Sequence, residues 1–179
     1  MQVLGVDIGG SGIKAAVVDV DSGTLLGEPC EVPTPRPATP GPIADQVAAV
    51  VSAFSWQGRV GIGFPAVIRN RVVATAANID SSWIGIDAVD LFGSAIPGEC
   101  VVLNDADAAG LAEMRFGAGA GHEETVLVLT LGTGIGSALF YRQQLFPNLE
   151  LGSFPFKGGT VEEYAAASVR MQECLSWQE

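Results

Sequence analysis

The chain opens with two apolar arms around a glycine turn. Val3-Leu4-Gly5-Val6 leads to Asp7, the turn is Gly9-Gly10-Ser11-Gly12, and Ile13 to Val18 is again apolar and β-branched. That pattern predicts strand, turn, strand, because the second arm lacks the spacing of a helix face. Asp21-Ser22-Gly23 marks a turn, and Thr24 to Val32 a third strand. Five prolines between Pro33 and Pro42 exclude a helix interior or central strand there and predict an extended surface connection carrying Arg36. Ile43, Val47, Val50, Val51 and Phe54 then fall on one helix face. Arg59 to Phe64 reads as a strand ending at Pro65, and Arg69-Asn70 as the turn of a small hairpin. A short helix is expected over 87–92, and a buried strand over 100–103. An Ala-rich helix is expected over 106–116, closed by Gly117. Thr160-Val161-Glu162-Glu163 is a capping box, predicting one helix to about Leu175 with an exposed apolar face.

The opening pattern recurs. Val126 to Leu131, Gly132-Thr133-Gly134 and Ile135 to Phe140 repeat strand, glycine turn, strand, which points to a duplicated unit. The glycine-rich link 117–121 between the repeats divides the chain into domains 1–117 and 118–179. Neither turn opens a helix, so neither is a Rossmann or Walker phosphate loop. The first turn is expected to use positive φ and to present its N–H groups outward. With Ser11, Lys14 and Asp7 beside it, it suits a phosphate with a divalent metal. The alternative is an ordinary glycine hairpin.

Composition narrows the classes. Of 179 residues 48% are hydrophobic and 16% charged, which is a compact globular make-up without signs of disorder. Apolar runs are too short for a membrane span, and the N-terminus has no signal-peptide pattern. Three separated cysteines, Cys30, Cys100 and Cys174, fit reduced thiols of a cytoplasmic protein. With a single histidine, His122, and no C-x-x-C pair, zinc is not expected. A net charge of −11 argues against nucleic acid as partner and would repel a polyanion at long range.

Asn104-Asp105 stands where a strand hands over to a helix. Asx residues there are ordinary caps. A carboxylate at that point can also orient an alcohol and take its proton during phosphoryl transfer. Asp107 reads as a first-turn charge that favours the helix dipole.

Several stretches together resemble a known group. Asp7-Ile-Gly-Gly-Ser-Gly-Ile-Lys14, Thr75-Ala-Ala-Asn78, Ser82-Trp-Ile-Gly85, Asn104-Asp-Ala-Asp-Ala-Ala-Gly110, Leu129 to Ala138 and Glu150-Leu-Gly152 are similar to the polyphosphate-glucokinase branch of the repressor/kinase (ROK) sugar kinases. That family lies within the actin/hexokinase-type ATPases. The resemblance implies an α/β protein of the actin/hexokinase-like (ribonuclease H-like) two-domain fold, with the second domain truncated. It implies glucose phosphorylation with polyphosphate or ATP as donor and Mg²⁺ as cofactor, without nucleic-acid or membrane partners. A homodimer is admitted. Asp105 would be the base, and Asn78, Asn104, Asp105 and Glu150 would hold glucose. Gly9, Gly10, Ser11, Lys14, Gly132, Thr133 and Gly134 would bind donor phosphates, and Asp7 would hold Mg²⁺ through water. Where the family has a histidine after Glu-Leu-Gly, this chain has Ser153. The alternative function is a sugar- or phosphate-binding module, or an inactive fragment, without turnover.

Overall fold

The computed structural model describes residues 1–77, 79–132 and 134–176. Strands β1 (Gln2–Ile8) and β2 (Gly12–Asp19) form the first hairpin, and β3 (Thr24–Pro33) returns antiparallel to β2. Helix α1 (Pro40–Ala53) leads to β4 (Val60–Phe64), which pairs parallel to β1. Strands β5 (Ile68–Arg69) and β6 (Val72–Val73) form a small hairpin, with Asn70 and Arg71 at φ +49° and +74°. Two consecutive positive φ values match the twist a tight hairpin needs. After helix α2 (Ala88–Ala95), β7 (Cys100–Asn104) pairs parallel to β4, giving the sheet order β3-β2-β1-β4-β7.

Alternation places Leu4, Val6 and Ile8 of β1, and Val60, Ile62 and Phe64 of β4, in the core. Helix α1 adds Ile43, Val47, Val50 and Val51, all on the face its spacing predicts. It starts earlier than expected, at Pro40. Prolines are tolerated in a first turn because those N–H groups have no intrahelical acceptor. Phe64, Trp83 and Phe92 are fully buried and mutually in contact, with ring centroids 4.6 to 6.3 Å apart.

Helix α3 (Asp105–Phe116) is followed by β8 (Thr125–Leu131), β9 (Ile135–Tyr141) and β10 (Gln144–Phe146), an antiparallel sheet in the order β10-β9-β8. Strands β11 (Pro155–Phe156) and β12 (Gly159–Thr160) precede helices α4 (Val161–Ala165) and α5 (Ala167–Gln172). The single helix expected from Thr160 to Leu175 is therefore two. Ala166 adopts extended backbone, with ψ 159°, and breaks it. The capping carboxylate is in place, Glu163 Oε2 accepting from Thr160 N–H at 2.8 Å.

The chain divides into two compact units, Met1–Asp105 and Ala106–Glu179. The sequence places the boundary twelve residues later, at the glycine link after 117. The difference is α3, which packs with the second hairpin. A Cβ on Gly110 would lie 2.6 Å from Ala138 Cβ and 2.9 Å from the Phe140 ring, so only glycine lets the helix approach β9 this closely. Among the described residues, no helix is long and apolar enough to cross a membrane.

Candidate active site

The first glycine turn is closed by Gly9 N–H donating to Gly12 O at 2.9 Å. The expected positive φ is not used: Gly9, Gly10 and Gly12 all lie outside the left-handed region. Space is tight at two of the three positions instead. A Cβ on Gly9 would sit 3.0 Å from Gly12 O, and one on Gly12 2.8 Å from Glu31 Oε1, whereas Gly10 faces open space. The proline-rich connection braces this turn. Thr34, buried, donates its hydroxyl to Gly9 O at 2.6 Å and its N–H to Ser11 O at 3.2 Å. Arg36 Nη2 reaches Gly10 O at 3.5 Å, and Trp83 Nε1 donates to Ala38 O at 2.9 Å. The turn's carbonyls are thus occupied from behind. Among the described residues, the N–H groups of Gly10 and Ser11 have no partner. Amides left unclaimed at a turn suit an anion. A cavity of about 310 Å³ opens here, bordered by Gly9, Gly10, Arg36, Pro65 and Asp80.

Strand register brings the carboxylates together. Asp7 pairs across from Lys14 in β2 and beside Gly63 in β4, and Gly63 lies beside Leu103, one residue short of Asn104 and two short of Asp105. Asp7, Gly63 and Asn104 stand at the carboxyl ends of the parallel strands β1, β4 and β7, where open α/β sheets bind ligands. A Cβ on Gly63 would come within 3.6 Å of Asp7 Oδ1 and 3.9 Å of Asp105 Cβ, so this glycine keeps the space between the two acids clear. Burial raises the Asp7 pKa, and the Lys14 ammonium opposes that shift. Asn104 is buried and donates Nδ2 to Ala66 O at 3.3 Å, fixing the segment after β4. Asp105 is the first residue of α3.

In the second unit, Gly132 N–H closes on Gly134 O at 3.0 Å, and Gly132 O accepts from Ala167 N–H at 3.0 Å. Glu150 opens a short 3₁₀ turn, Leu151–Ser153, where Ser153 is exposed and donates its N–H to Glu150 O. Asp107 stands in the first turn of α3, as the sequence suggests, and is buried there. It is 2% exposed and its Oδ2 accepts from Asn148 N–H at 2.8 Å. Burial raises its pKa, and that hydrogen bond partly offsets the rise. Asn78 and Thr133 lie outside the described residues.

The structure therefore assembles Asp7, Gly9, Gly10, Ser11, Lys14, Asn104 and Asp105 along one end of the first sheet and its hairpin. Sequence reading missed Gly63, Thr34 and the burial of Asp107. A glycine inside a strand, as Gly63 is, signals close approach to the backbone. The other two had no local signal.

An antiparallel triplet extended by two parallel strands, with acids at the strand ends, defines an actin/hexokinase-like sugar-kinase fold. The chain belongs to the ROK family, whose profile matches residues 3–147. It is 50% identical over 167 residues to the polyphosphate glucokinase of Mycobacterium tuberculosis, covering 93% of this chain and 63% of that protein. It superposes on the inorganic polyphosphate/ATP-glucomannokinase of Arthrobacter sp. strain KM with a TM-score of 0.93 at 48% identity, covering 98% of this chain and 72% of the other. The ROK glucokinase of Streptomyces griseus, solved with glucose and AMPPNP, gives a TM-score of 0.83 at 32% identity, with 96% and 59% covered.

Proposed function

We propose that this chain phosphorylates glucose at its primary hydroxyl, with inorganic polyphosphate as donor and ATP as a second donor. The observation that carries the reading is the placement of Asp7 and Asp105 on either side of Gly63, next to a turn with unclaimed amides. The relatives named polyphosphate glucokinase and polyphosphate/ATP-glucomannokinase supply the substrates.

In this reading the Asp105 carboxylate accepts the hydroxyl proton as the sugar oxygen bonds to the terminal phosphorus. The bond from that phosphorus to the bridging oxygen breaks, and the donor leaves one phosphate shorter. Asn104, Asn78 and Glu150 hold the sugar. The Gly10 and Ser11 amides, Lys14, and the Gly132-Thr133-Gly134 turn hold donor phosphates. Catalysis rests on positioning and charge stabilisation.

A magnesium ion fits the residues present. Among the described residues no cluster of three ligating side chains exists, but Asp7 stands at the open strand end. Mg²⁺ is commonly held by one or two carboxylates, waters and substrate phosphates. Bound there, it would neutralise developing charge on the donor. The protein is proposed to act in the cytoplasm.

The test is glucose 6-phosphate formation by the purified chain with polyphosphate and ATP in parallel. Product that disappears in Asp105→Asn supports the reading. Product retained in that variant removes the base assignment. The second reading, sugar binding without turnover, draws on Ser153 standing where family members have histidine. Glucose binding with no product under either donor would select it.

A further inference from the structure

A carboxylate taken out of water loses hydration that a surface charge keeps. If Asp107 served only the helix dipole, exposure would suit it better. Instead it is buried at 2% exposure, as is Ser137 on β9. Both side chains are aimed at one short stretch of backbone. Asp107 Oδ2 accepts from Asn148 N–H at 2.8 Å. Ser137 Oγ donates to Leu149 O at 2.6 Å and accepts from Leu151 N–H at 3.0 Å. Three backbone groups around Glu150 are thus held by two side chains from different elements. The stretch is conformationally particular, since Asn148 has φ +60°. It is also packed tightly behind Glu150, where a Cβ on Gly152 would collide with Ile135 O.

We propose that Asp107 and Ser137 are positioning residues that clamp the 148–151 backbone and thereby aim Glu150 at the sugar. The inference rests on the proposed sugar contact of Glu150, and it adds the residues that make this contact possible. The clamp ties the segment to α3, which opens with Asp105, and to β9, which follows the second glycine turn. It needs a hydrogen-bond acceptor at 107, not a negative charge. Asparagine can supply that acceptor; leucine, of similar size, cannot.

The experiment combines amide hydrogen exchange with glucose affinity by calorimetry on the full chain. In Asp107→Leu and Ser137→Ala, protection of the Asn148 and Leu151 amides should fall at least tenfold, with β8 and β9 unchanged. Glucose affinity should weaken about tenfold, which corresponds to ~1.4 kcal/mol. Asp107→Asn should restore both. In a Glu150→Gln background, Ser137→Ala should cost no further affinity, because the clamp acts through Glu150. Unchanged exchange at 148 and 151 in Ser137→Ala overturns the clamp, and so does a fully additive loss in the double variant. Should Asp107→Leu not fold, Ser137→Ala decides alone. Unchanged glucose affinity in Glu150→Gln alone overturns the sugar role of Glu150, and the aiming role with it. The exchange result then shows separately whether the clamp exists.

Discussion

Each of the two glycine hairpins closes on a carbonyl within its own turn and is braced from behind. Gly9 N–H meets Gly12 O at 2.9 Å, and Gly132 N–H meets Gly134 O at 3.0 Å. From behind, Gly9 O accepts from the Thr34 hydroxyl and Gly132 O from the Ala167 amide. What supports them differs. The first stands in a five-stranded sheet over a core that includes Phe64, Trp83 and Phe92. The second stands in three strands over a cluster of Met114, Ala138 and Phe140. Strand β8 is the edge strand of that sheet, and Leu127, Leu129 and Leu131 on one of its faces are 46, 50 and 56% exposed. A glycine turn therefore needs a local brace more than a large core. Stability and turn geometry are separable, and substitutions can test them separately.

The largest effect should fall on chemistry in the first unit. Asp105→Asn should lower kcat by about 10² to 10⁴-fold while leaving glucose affinity and unfolding unchanged. Steady-state kinetics with polyphosphate checks this, and a near-normal rate would move the base elsewhere. Core truncation comes next. Phe64→Ala and Phe140→Ala should each cost ~3–5 kcal/mol, since both side chains are fully buried. Amide exchange should place the first loss in β1, β4 and β7, and the second in β8 and β9. Equal loss across both sets would show that the two units unfold together.

Glycine contacts give a smaller, sharper contrast. Gly110→Ala in the second unit meets Ala138 at 2.6 Å, and overpacking of this kind costs ~1–3 kcal/mol. Gly63→Ala in the first unit meets its neighbours at ordinary contact distance, 3.6 Å or more. It should leave stability nearly untouched and reduce turnover by filling the space between Asp7 and Asp105. Denaturant melts beside activity assays would separate the two. A melt lowered equally by both substitutions would sink the contrast.

Much of this was legible in the sequence because it is local. Alternation announces β1, β2, β8 and β9, the spacing of Ile43, Val47 and Val50 announces α1, and Asn104-Asp105 announces where β7 hands over to α3. What was hidden depends on tertiary approach. The Ala-rich run 106–116 says helix but not which sheet it joins; that is decided by Gly110 lying against Ala138 and Phe140. Thr34 looks like one polar residue among prolines, and only the fold brings its hydroxyl to Gly9 O. Asp107 reads as a first-turn charge, and its burial is silent because burial has no periodicity over a single residue. The break at Ala166 is equally silent, since alanine favours helix and is overridden here.

The smallest effect concerns two carboxylates whose pKa burial raises, Asp7 and Asp107. Asp7 is exposed at the open end of β1, so solvent screens what its titration adds to stability. Asp107 is sealed at 2% exposure, so its titration belongs to stability. Because folding raises its pKa, the folded state holds this proton where the unfolded chain has already released it. The stabilising contribution is complete below the unfolded carboxylate pKa and is lost as pH rises through the folded value. Each tenfold difference in acid constant is worth ~1.4 kcal/mol. Asp107→Asn keeps an acceptor for Asn148 N–H and cannot ionise. Its stability relative to the parent should be flat in acid, climb across that window, and level off above it in the variant's favour. Asp7→Asn should weaken donor binding in Mg²⁺ and show the same climb only in a smaller, solvent-screened form. Urea melts between pH 4 and pH 7 read the difference. A parent chain that gains on Asp107→Asn as pH rises would mean that the hydrogen bond from Asn148 outweighs burial, and that the ionised carboxylate is the form the second unit is built to hold.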